Sequence, residues 1–570
     1  MEATGRLGSN PVAKWCQKHL KVTGNSKDAI AQGEVTNYDG EMTSFVPLVR
    51  AYFEGVCVVI GRMYEPKTKT QRWYRGRINK SRLMQDPSLD AYNRDNECSA
   101  QNVCREQNIT FQMLVAASKD AIDATMFMKR NVDNTPLFKV LKGMPKGALL
   151  HAHFPAMVDW GTFFTALLGD VIIGKHICFI SNVNNVRTDI PKEDFTWNCP
   201  YNGHAKANTL SVFPGPPPEG WTRLDRTSAD IISNQLSSAR SWPELEHNTE
   251  LIWSLIKHDG VFQIYFRLLL EAAIEDNLQH IELKTNLGSL HRKQYDSGKE
   301  YYTGEWMSPQ YELDQMKLVA APFASRLSWR LILGVHRSLS AENMDTKLRL
   351  FSDTYKANKD VIGGIDIFGE EDVGHRNSDY KKTLVALDTD PDIGNGFVFS
   401  IHSGETSMVQ YPVDANIAAL VDIKHRVRLG HGLSLWKYPA LVEQFKSPNK
   451  HVELAPLSNN ILGYISRLTD HPGLSYLLNN ISVSINSDDP SFFGYNYVSY
   501  DWCSAIIAWK LTLQDVYKLC LNSVNACAME KSQKAALQKE FIMSFSAWAQ
   551  NLSPRRHIGG SRLIRTKKKL

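Results

Sequence analysis

The sequence predicts an α/β fold, a (β/α)8 TIM barrel, from three observations. Eight short, mainly apolar runs follow one another, and the stretches between them are long enough to hold helices. Four of these runs end at His, Asp or Glu side chains, which is where barrels of this kind carry their chemistry. A single connection, after the first run, is far longer than the rest. The predicted strands are Ala148–Phe154, Gln279–Thr285, Arg330–Arg337, Val361–Gly369, Phe397–His402, Arg426–His431, His451–Pro456 and Ile481–Asp488.

The long connection predicts an inserted subdomain over residues 171–247, after strand 1. It is polar and contains the run Pro214–Pro218 (PGPPP), which is incompatible with a helix or a central strand. Beyond it, Gly260–Asn277 has apolar residues at helical spacing. This segment is therefore expected to be the helix that leads into the second strand.

The barrel with its insertion is expected to span residues 131–552. Residues 1–130 form an N-terminal extension, whose polar, Arg-rich stretch over 38–108 has little clear period. Residues 553–570 are predicted to be a disordered basic tail. Of the net charge of +5, seven positive charges lie in the last sixteen residues, so the remainder is near neutral. Because the remainder is near neutral, we do not expect nucleic acid as a partner. The sequence has no apolar run of the roughly 18 residues that a membrane span needs, so we do not expect a membrane partner either.

The spacing of four side chains predicts a metal site. His151 and His153 stand at i and i+2 in a strand, so both project toward the same face. His402 adds a third nitrogen and Asp488 an oxygen, each at the end of another strand. Three imidazoles and one carboxylate form a donor set that suits zinc and leaves room for water.

Two further residues are candidates for proton transfer beside the metal. Glu405 follows His402 by three positions, too far along the chain to share its direction, and is placed to act as acid or base. His431 lies in a Gly-His-Gly motif at the end of the sixth strand, where it can orient a water or hydroxide. A lone HxH pair is usually incidental, and the Asp488–Pro490 segment alone would predict a turn. All the motifs fall at strand ends of one barrel, which favours a metallo-dependent hydrolase.

Six segments of the sequence resemble the adenosine deaminases, in particular the growth-factor-related, adenosine deaminase 2-like subfamily. The resemblance covers roughly residues 131–552. The segments are MPKGALLHAH (Met144–His153), GIDIFGEEDVGH (Gly364–His375), SIHSGETS (Ser400–Ser407), RLGHGLSLWKYP (Arg428–Pro439), ELAPLSNNIL (Glu453–Leu462) and INSDDPSFFG (Ile485–Gly494).

The resemblance implies one Zn²⁺ per chain and hydrolytic deamination of adenosine and 2′-deoxyadenosine, giving inosine (or its deoxy form) and ammonia. It assigns the metal to His151, His153, His402 and Asp488. It makes Glu405 the proton donor to purine N1 and gives His431 the orienting role. It also places Asp489 at N7 and the backbone N–H of Gly369 at N3.

Two departures from the family pattern concern the sugar. Where the family has an Asp soon after HxH, this chain has Phe154 and Pro155, whose side chains cannot hydrogen-bond. The family's GHED segment also begins Gly369-Glu370 here. Glu282, which matches a family carboxylate near the sugar, is expected to supply the missing contact. Another 6-aminopurine such as AMP remains the alternative substrate, and a growth-factor-like binding protein without catalysis is the third reading.

Compartment and assembly stay open. The resemblance implies a disulfide between Cys178 and Cys199, a secreted protein, and a homodimer formed by a helical N-terminal arm. Sequons at Asn79, Asn108, Asn480 and Asn551 agree with secretion. The N-terminus lacks the apolar segment of a signal peptide, which favours a cytoplasmic protein.

Overall fold

The computed structural model describes residues 45–53, 56–65, 70–79, 105–122, 132–171, 173–181, 208–212, 216–217, 220–292, 305–394, 396–406 and 416–552. The predicted tail, Cys199 and much of the predicted N-terminal extension lie outside these ranges. The tail, the disulfide with Cys178 and the domain boundaries therefore remain predictions.

The N-terminal region contains strands within the stretch 38–108, for which the sequence predicted no secondary structure. Phe45–Phe53, Val56–Glu65 and Thr70–Asn79 form an antiparallel three-stranded meander. These segments are rich in β-branched and aromatic residues, which favour strands over helices. In the described part of residues 1–130, the helix is Arg105–Ser118.

The predicted eight-stranded barrel is confirmed, strand by strand. All neighbouring strands are parallel and lie in chain order, as the right-handed β–α–β connection requires. The barrel strands are β1 (Ala148–His153), β2 (His280–Thr285), β3 (Ser328–His336), β4 (Ile362–Phe368), β5 (Val398–Ser403), β6 (Arg426–His431), β7 (Lys450–Leu454) and β8 (Val483–Ile485).

The barrel closes through the segment that follows β8. The backbone N–H of Asp488 donates to the carbonyl of His151 at 3.1 Å, and the N–H of His153 donates to the carbonyl of Asp488 at 3.2 Å. Asn486 Oδ1 accepts from the backbone N–H groups of Leu150 and His151 at 2.9 and 3.1 Å. An amide side chain thus replaces part of the ladder between β8 and β1.

The ends of two strands differ from their predicted positions for backbone reasons. The eighth strand was predicted to reach Asp488 but stops at Ile485, and Asp488, which has a φ of +63°, pairs with Ala152 only as an isolated bridge. The fourth stops at Phe368, because Gly369 has a φ of +107°. Both conformations lie outside the β region, so the chain must leave the sheet there. These departures turn the chain across the barrel mouth.

The predicted insertion contains a small antiparallel sheet, in which Ile177–Ser181 pairs with both Asn208–Val212 and Thr222–Arg223. The helix predicted over Gly260–Asn277 is confirmed as Asp259–Glu275. A further two-stranded pair joins His291–Arg292 to Glu305–Trp306. The remaining helices are Pro136–Lys142, Trp160–Gly169, Arg226–Leu236, Trp242–Ile256, Pro309–Ala320, Ala341–Ala357, Lys381–Asp388, Pro439–Gln444, Pro456–Ile461, Gly473–Leu478, Ser499–Trp509, Leu513–Ala526 and Lys531–Gln550.

An aromatic cluster packs behind the end of β1. Phe154 is completely buried and stacks on Phe262 with ring centroids 5.3 Å apart. Trp253, on the helix Trp242–Ile256, meets the same ring edge-on at 6.0 Å. These contacts hold the inserted helices against the barrel beside the first histidine pair. Among the described helices, none combines the length and the apolar character needed to cross a bilayer.

Candidate metal centre and active site

The structure brings His151, His153, His402 and Asp488 together, and these four residues are called the metal cluster below. Each offers a ligand atom, and these atoms all lie within 4.8 Å of one another. The Asp488 Oδ1 atom is 3.1 Å from His151 Nε2 and 3.2 Å from His153 Nε2. The two strand-1 histidines therefore converge on one carboxylate oxygen, as their i, i+2 spacing predicted.

The metal cluster has the features of a cation site. His151 Nε2 and Asp488 Oδ1 are buried and make no hydrogen bond within the described residues. Leaving such buried polar atoms unmatched costs about 1–3 kcal/mol each, so an ion would satisfy both. Imidazole nitrogens and a carboxylate oxygen are ligands that a transition-metal ion accepts.

The local electrostatics also favour a cation. Burial lowers the pKa of His153, but Asp489 and Asp488 outweigh burial and raise that pKa to about 9. The two carboxylates therefore attract positive charge to this corner of the site. A metal ion bound there would displace the proton of His153.

Two buried carboxylates orient the histidines of the metal cluster. Glu453 Oε2 lies 2.9 Å from His151 Nδ1, and Asp366 Oδ2 lies 2.9 Å from His402 Nδ1. Pairing Nδ1–H with a carboxylate leaves Nε2 unprotonated for a metal. Lys284 joins the two carboxylates, with its Nζ 3.1 Å from Asp366 Oδ2 and 3.4 Å from Glu453 Oε2.

Glu405 lies beside the metal cluster in an environment that favours its protonated form. Burial raises the pKa of Glu405 well above its ordinary value, and the nearby carboxylates of Asp488, Glu371 and Asp489 raise it further. Glu371 also fixes the backbone of this segment, because its Oε2 and Oε1 accept from the N–H groups of Gly404 and Glu405 at 3.0 and 2.8 Å. The carboxyl of Glu405 can therefore carry a proton at neutral pH.

His431 completes the group in a strained backbone conformation. Its φ is +64°, in the left-handed region that non-glycine residues seldom adopt outside functional sites. Burial lowers the pKa of His431 well below its ordinary value, so the ring stays neutral. Its Nδ1 lies 3.3 Å from Glu405 Oε1, and its Nε2 lies 3.9 Å from Asp488 Oδ2. His431 thus faces both the proton donor and the metal cluster.

Two of the predicted substrate contacts also lie at the barrel mouth. Asp489 directly follows Asp488 in the chain. Burial raises the pKa of Asp489 to about 7, and the charge of Asp488 adds to this effect, whereas His153 opposes it. Gly369 ends β4, and a Cβ at this position would stand 2.6 Å from His336 Nε2. A side chain is therefore excluded at Gly369.

Glu282 was predicted to contact the sugar, and the structure corrects this interpretation. Its Oε2 accepts from Arg428 Nη2 at 2.6 Å, and its Oε1 accepts from the backbone N–H of Ala528. Ala528 packs on Gly363, near the start of β4, which is the end of the barrel opposite the mouth. Both oxygens of Glu282 are thus engaged in a structural ion pair, where a nucleoside cannot reach.

Several residues of the site were not identified from the sequence. They are polar or charged side chains that hydrogen-bond to the site residues, to the backbone of these residues, or to one another. The available signal was a charged residue inside an otherwise apolar strand, or a conspicuous polar residue next to a motif. The residues are Lys284, Arg337, Asp366, Glu371, Glu453, Asn459 and His471.

The sequence is similar to that of known proteins. The family described as adenosine deaminase matches residues 232–543, more than half of the chain. Adenosine deaminase 2 of Homo sapiens is 26% identical over 441 residues, which cover 74% of this chain and 83% of that protein. Adenosine deaminase 2 of Dictyostelium discoideum is 22% identical over 466 residues, 78% of this chain and 79% of that protein. The crystal structure of adenine deaminase from Arthrobacter aurescens has a TM-score of 0.48 at 16% identity, covering 71% of this chain and 99% of that one. This chain belongs to the adenosine deaminase family, within its adenosine deaminase 2-like subfamily.

Proposed function

We propose that this protein is a zinc-dependent deaminase that converts adenosine and 2′-deoxyadenosine to the corresponding 6-oxo nucleosides and ammonia. The observation that carries the proposal is the convergence of three histidines and one aspartate, with the carboxyl of Glu405 beside them. Burial, together with the neighbouring carboxylates, raises the pKa of Glu405 well above its ordinary value. Hydrolysis at C6 of a purine needs a water made nucleophilic and a proton delivered to the ring. The site offers groups for both.

His151, His153, His402 and Asp488 would hold the zinc ion. A zinc ion held there would lower the pKa of water at the site from 15.7 toward roughly 7 and would so supply a nucleophile at neutral pH. Glu453 and Asp366 keep two of the histidines in the tautomer that offers Nε2.

The remaining residues act on the purine. Glu405 delivers its proton to ring N1 as the oxygen of water adds to C6. The proton that the water releases passes to N6, which leaves as ammonia, and the proton of the new C6 hydroxyl returns to Glu405 as the 6-oxo group forms. General-acid help of this kind contributes on the order of 10²–10⁴ in rate. His431 orients the attacking oxygen, Asp489 binds N7, and the backbone N–H of Gly369 binds N3.

The sugar contact that Glu282 cannot make is assigned instead to Glu246 and His336. His336 ends β3, and its Nε2 lies 3.9 Å from Glu246 Oε1 of the inserted helix Trp242–Ile256. Its ring is 5.6 Å from that of Phe368, which in turn is 6.0 Å from His153. Both side chains keep some exposure, 16% and 22%. A carboxylate and a neutral imidazole at the mouth suit the hydroxyls of a ribose.

The charges near the mouth favour a nucleoside over AMP. Glu370 and Asp372 lie close enough to the Tyr464 hydroxyl to raise its pKa, together with burial and Glu405. A phosphate would be repelled by these carboxylates. Arg337 contacts Gly369, but its guanidinium is buried and donates to the backbone carbonyls of this region, so it is not placed to bind a phosphate.

Metal analysis combined with a purine panel tests the proposal. The purified protein should hold about one zinc per chain, and absorbance at 265 nm should fall with adenosine and 2′-deoxyadenosine. AMP and free adenine should react much more slowly. His153→Ala should lose both zinc and activity. A preference for AMP would change the substrate, and a zinc-loaded wild-type protein that deaminates no purine would refute the function.

A further inference from the structure

We propose that Asn459 is a positioning residue that determines which atoms of Glu405 and His431 carry their protons. The proposal rests on the deamination proposed above. Asn459 lies on the helix Pro456–Ile461, directly after β7, and its side chain is completely buried. It contacts both groups that handle protons in the mechanism, and sequence reasoning gave it no role.

The direction of the hydrogen bonds is set at a backbone group. The N–H of Gly473, which can only donate, donates to His471 Nδ1 at 3.0 Å. A ring nitrogen that accepts a hydrogen bond carries no proton, so the neutral His471 ring bears its proton on Nε2. That Nε2–H donates to Asn459 Oδ1 at 3.3 Å.

The orientation of the Asn459 amide follows from this contact. With Oδ1 held by His471, the NH₂ group faces Glu405 Oε1 at 3.2 Å and His431 Nδ1 at 3.0 Å. Turning the amide over would set its N–H groups against the N–H of His471 and is therefore excluded. Glu405 Oε1 and His431 Nδ1 must both accept.

Because Glu405 Oε1 and His431 Nδ1 both accept hydrogen bonds from Asn459, the proton of each group lies on its other polar atom. The neutral His431 ring carries its proton on Nε2, the nitrogen that faces Asp488. The proton of Glu405 resides on Oε2, where it does not bridge to His431. Without Asn459, the 3.3 Å gap between Glu405 Oε1 and His431 Nδ1 would let the Glu405 proton bond to the imidazole instead of to purine N1. Asn459 exchanges no proton itself, so adenosine and water still give inosine and ammonia.

The test compares two neighbouring asparagines. Asn459→Leu removes the NH₂ donors with little change in size. Asn460→Leu is the matched control, because Asn460 lies on the same helix and donates to the Ile465 carbonyl, away from the site. We expect Asn459→Leu to lower kcat for adenosine about 10²-fold, with KM and zinc content close to those of Asn460→Leu. Equal kcat values in the two variants would overturn the proposal.

A second pair of variants acts one step further from the catalytic groups. His471→Leu removes the N–H that orients the amide, and His471→Gln restores an N–H donor. Loss of one such bond should slow kcat by about 2- to 13-fold in the leucine variant, and the glutamine variant should recover most of it. Equal loss in both would mean that His471 acts through packing alone, which contradicts the proposed direction of the bonds. Inactive wild-type and Asn460→Leu proteins would instead refute the deaminase function.

Discussion

Two glutamates at opposite ends of the barrel are equally buried and behave in opposite ways. Glu282 lies at the end remote from the mouth, and burial there would raise its pKa. Arg428 and His280 more than offset burial and hold the pKa of Glu282 at about 2. Glu405 lies at the mouth among carboxylates, and both burial and these neighbours raise its pKa well above the ordinary value. Neither burial nor residue type distinguishes the two residues.

The two glutamates differ in their surroundings, namely in whether the nearby polar atoms have hydrogen-bond partners within the protein. Around Glu282, an arginine and a backbone N–H occupy both oxygens. At the mouth, His151 Nε2, His431 Nε2 and Asp488 Oδ1 are buried without a hydrogen-bond partner among the described residues. Unmatched polar atoms also occur elsewhere in the described residues, including Ser233 Oγ, but at the mouth three of them belong to side chains that face one another. Their convergence, rather than their number, marks the mouth as the functional end of this barrel.

The largest expected effect lies at the mouth. Glu405→Gln keeps the size and hydrogen bonding of a protonated glutamate but cannot give up a proton. Steady-state assays should show kcat for adenosine falling by about 10² or more. Zinc content and Tm should stay near wild type, because the carboxyl it replaces was already uncharged. A Glu405→Gln enzyme with near-normal kcat would make Glu405 a structural residue.

The same substitution at the opposite end should give the reverse result. Glu282→Gln removes one of the two carboxylates paired with the buried Arg428, which keeps Glu453 as its other partner at 2.7 Å. The cost should therefore lie below the about 3–5 kcal/mol of breaking an isolated buried pair. Denaturant unfolding should show this loss of stability. The fraction that remains folded should keep its kcat and KM, since Glu282 does not reach the substrate. A selective rise in KM for adenosine would restore the sugar contact to Glu282 and contradict the structural assignment.

The contrast also explains what the sequence could predict. The order of the eight strands and the convergence of the four metal-cluster side chains could be predicted, because a period of two and apolar runs followed by His or Asp are local signals. The role of Glu282 was assigned wrongly, because its position on β2 says nothing about Arg428, 146 residues further along the chain. Asn459 and His471 were missed for a related reason, since their importance lies in the direction of hydrogen bonds between separate loops. Pairings over long sequence distances require the three-dimensional arrangement.

The smallest expected effect is a pH dependence that belongs to the buried Glu282 pair. The pKa of Glu282 is about 2 in the folded protein and ordinarily 4.5. Because the folded-state pKa is depressed, its stabilising contribution is complete above pH 4.5 and is lost as the pH falls toward 2. Between pH 6 and pH 3 the wild type should lose about 2 kcal/mol more unfolding free energy than Glu282→Gln, which has no carboxyl to titrate at this position. Denaturant titrations of both proteins at the two pH values measure this difference. If the difference in unfolding free energy between the two proteins is the same at both pH values, Arg428 does not hold Glu282 ionised. The distinction between the two ends of the barrel would then rest only on the unmatched polar atoms at the mouth.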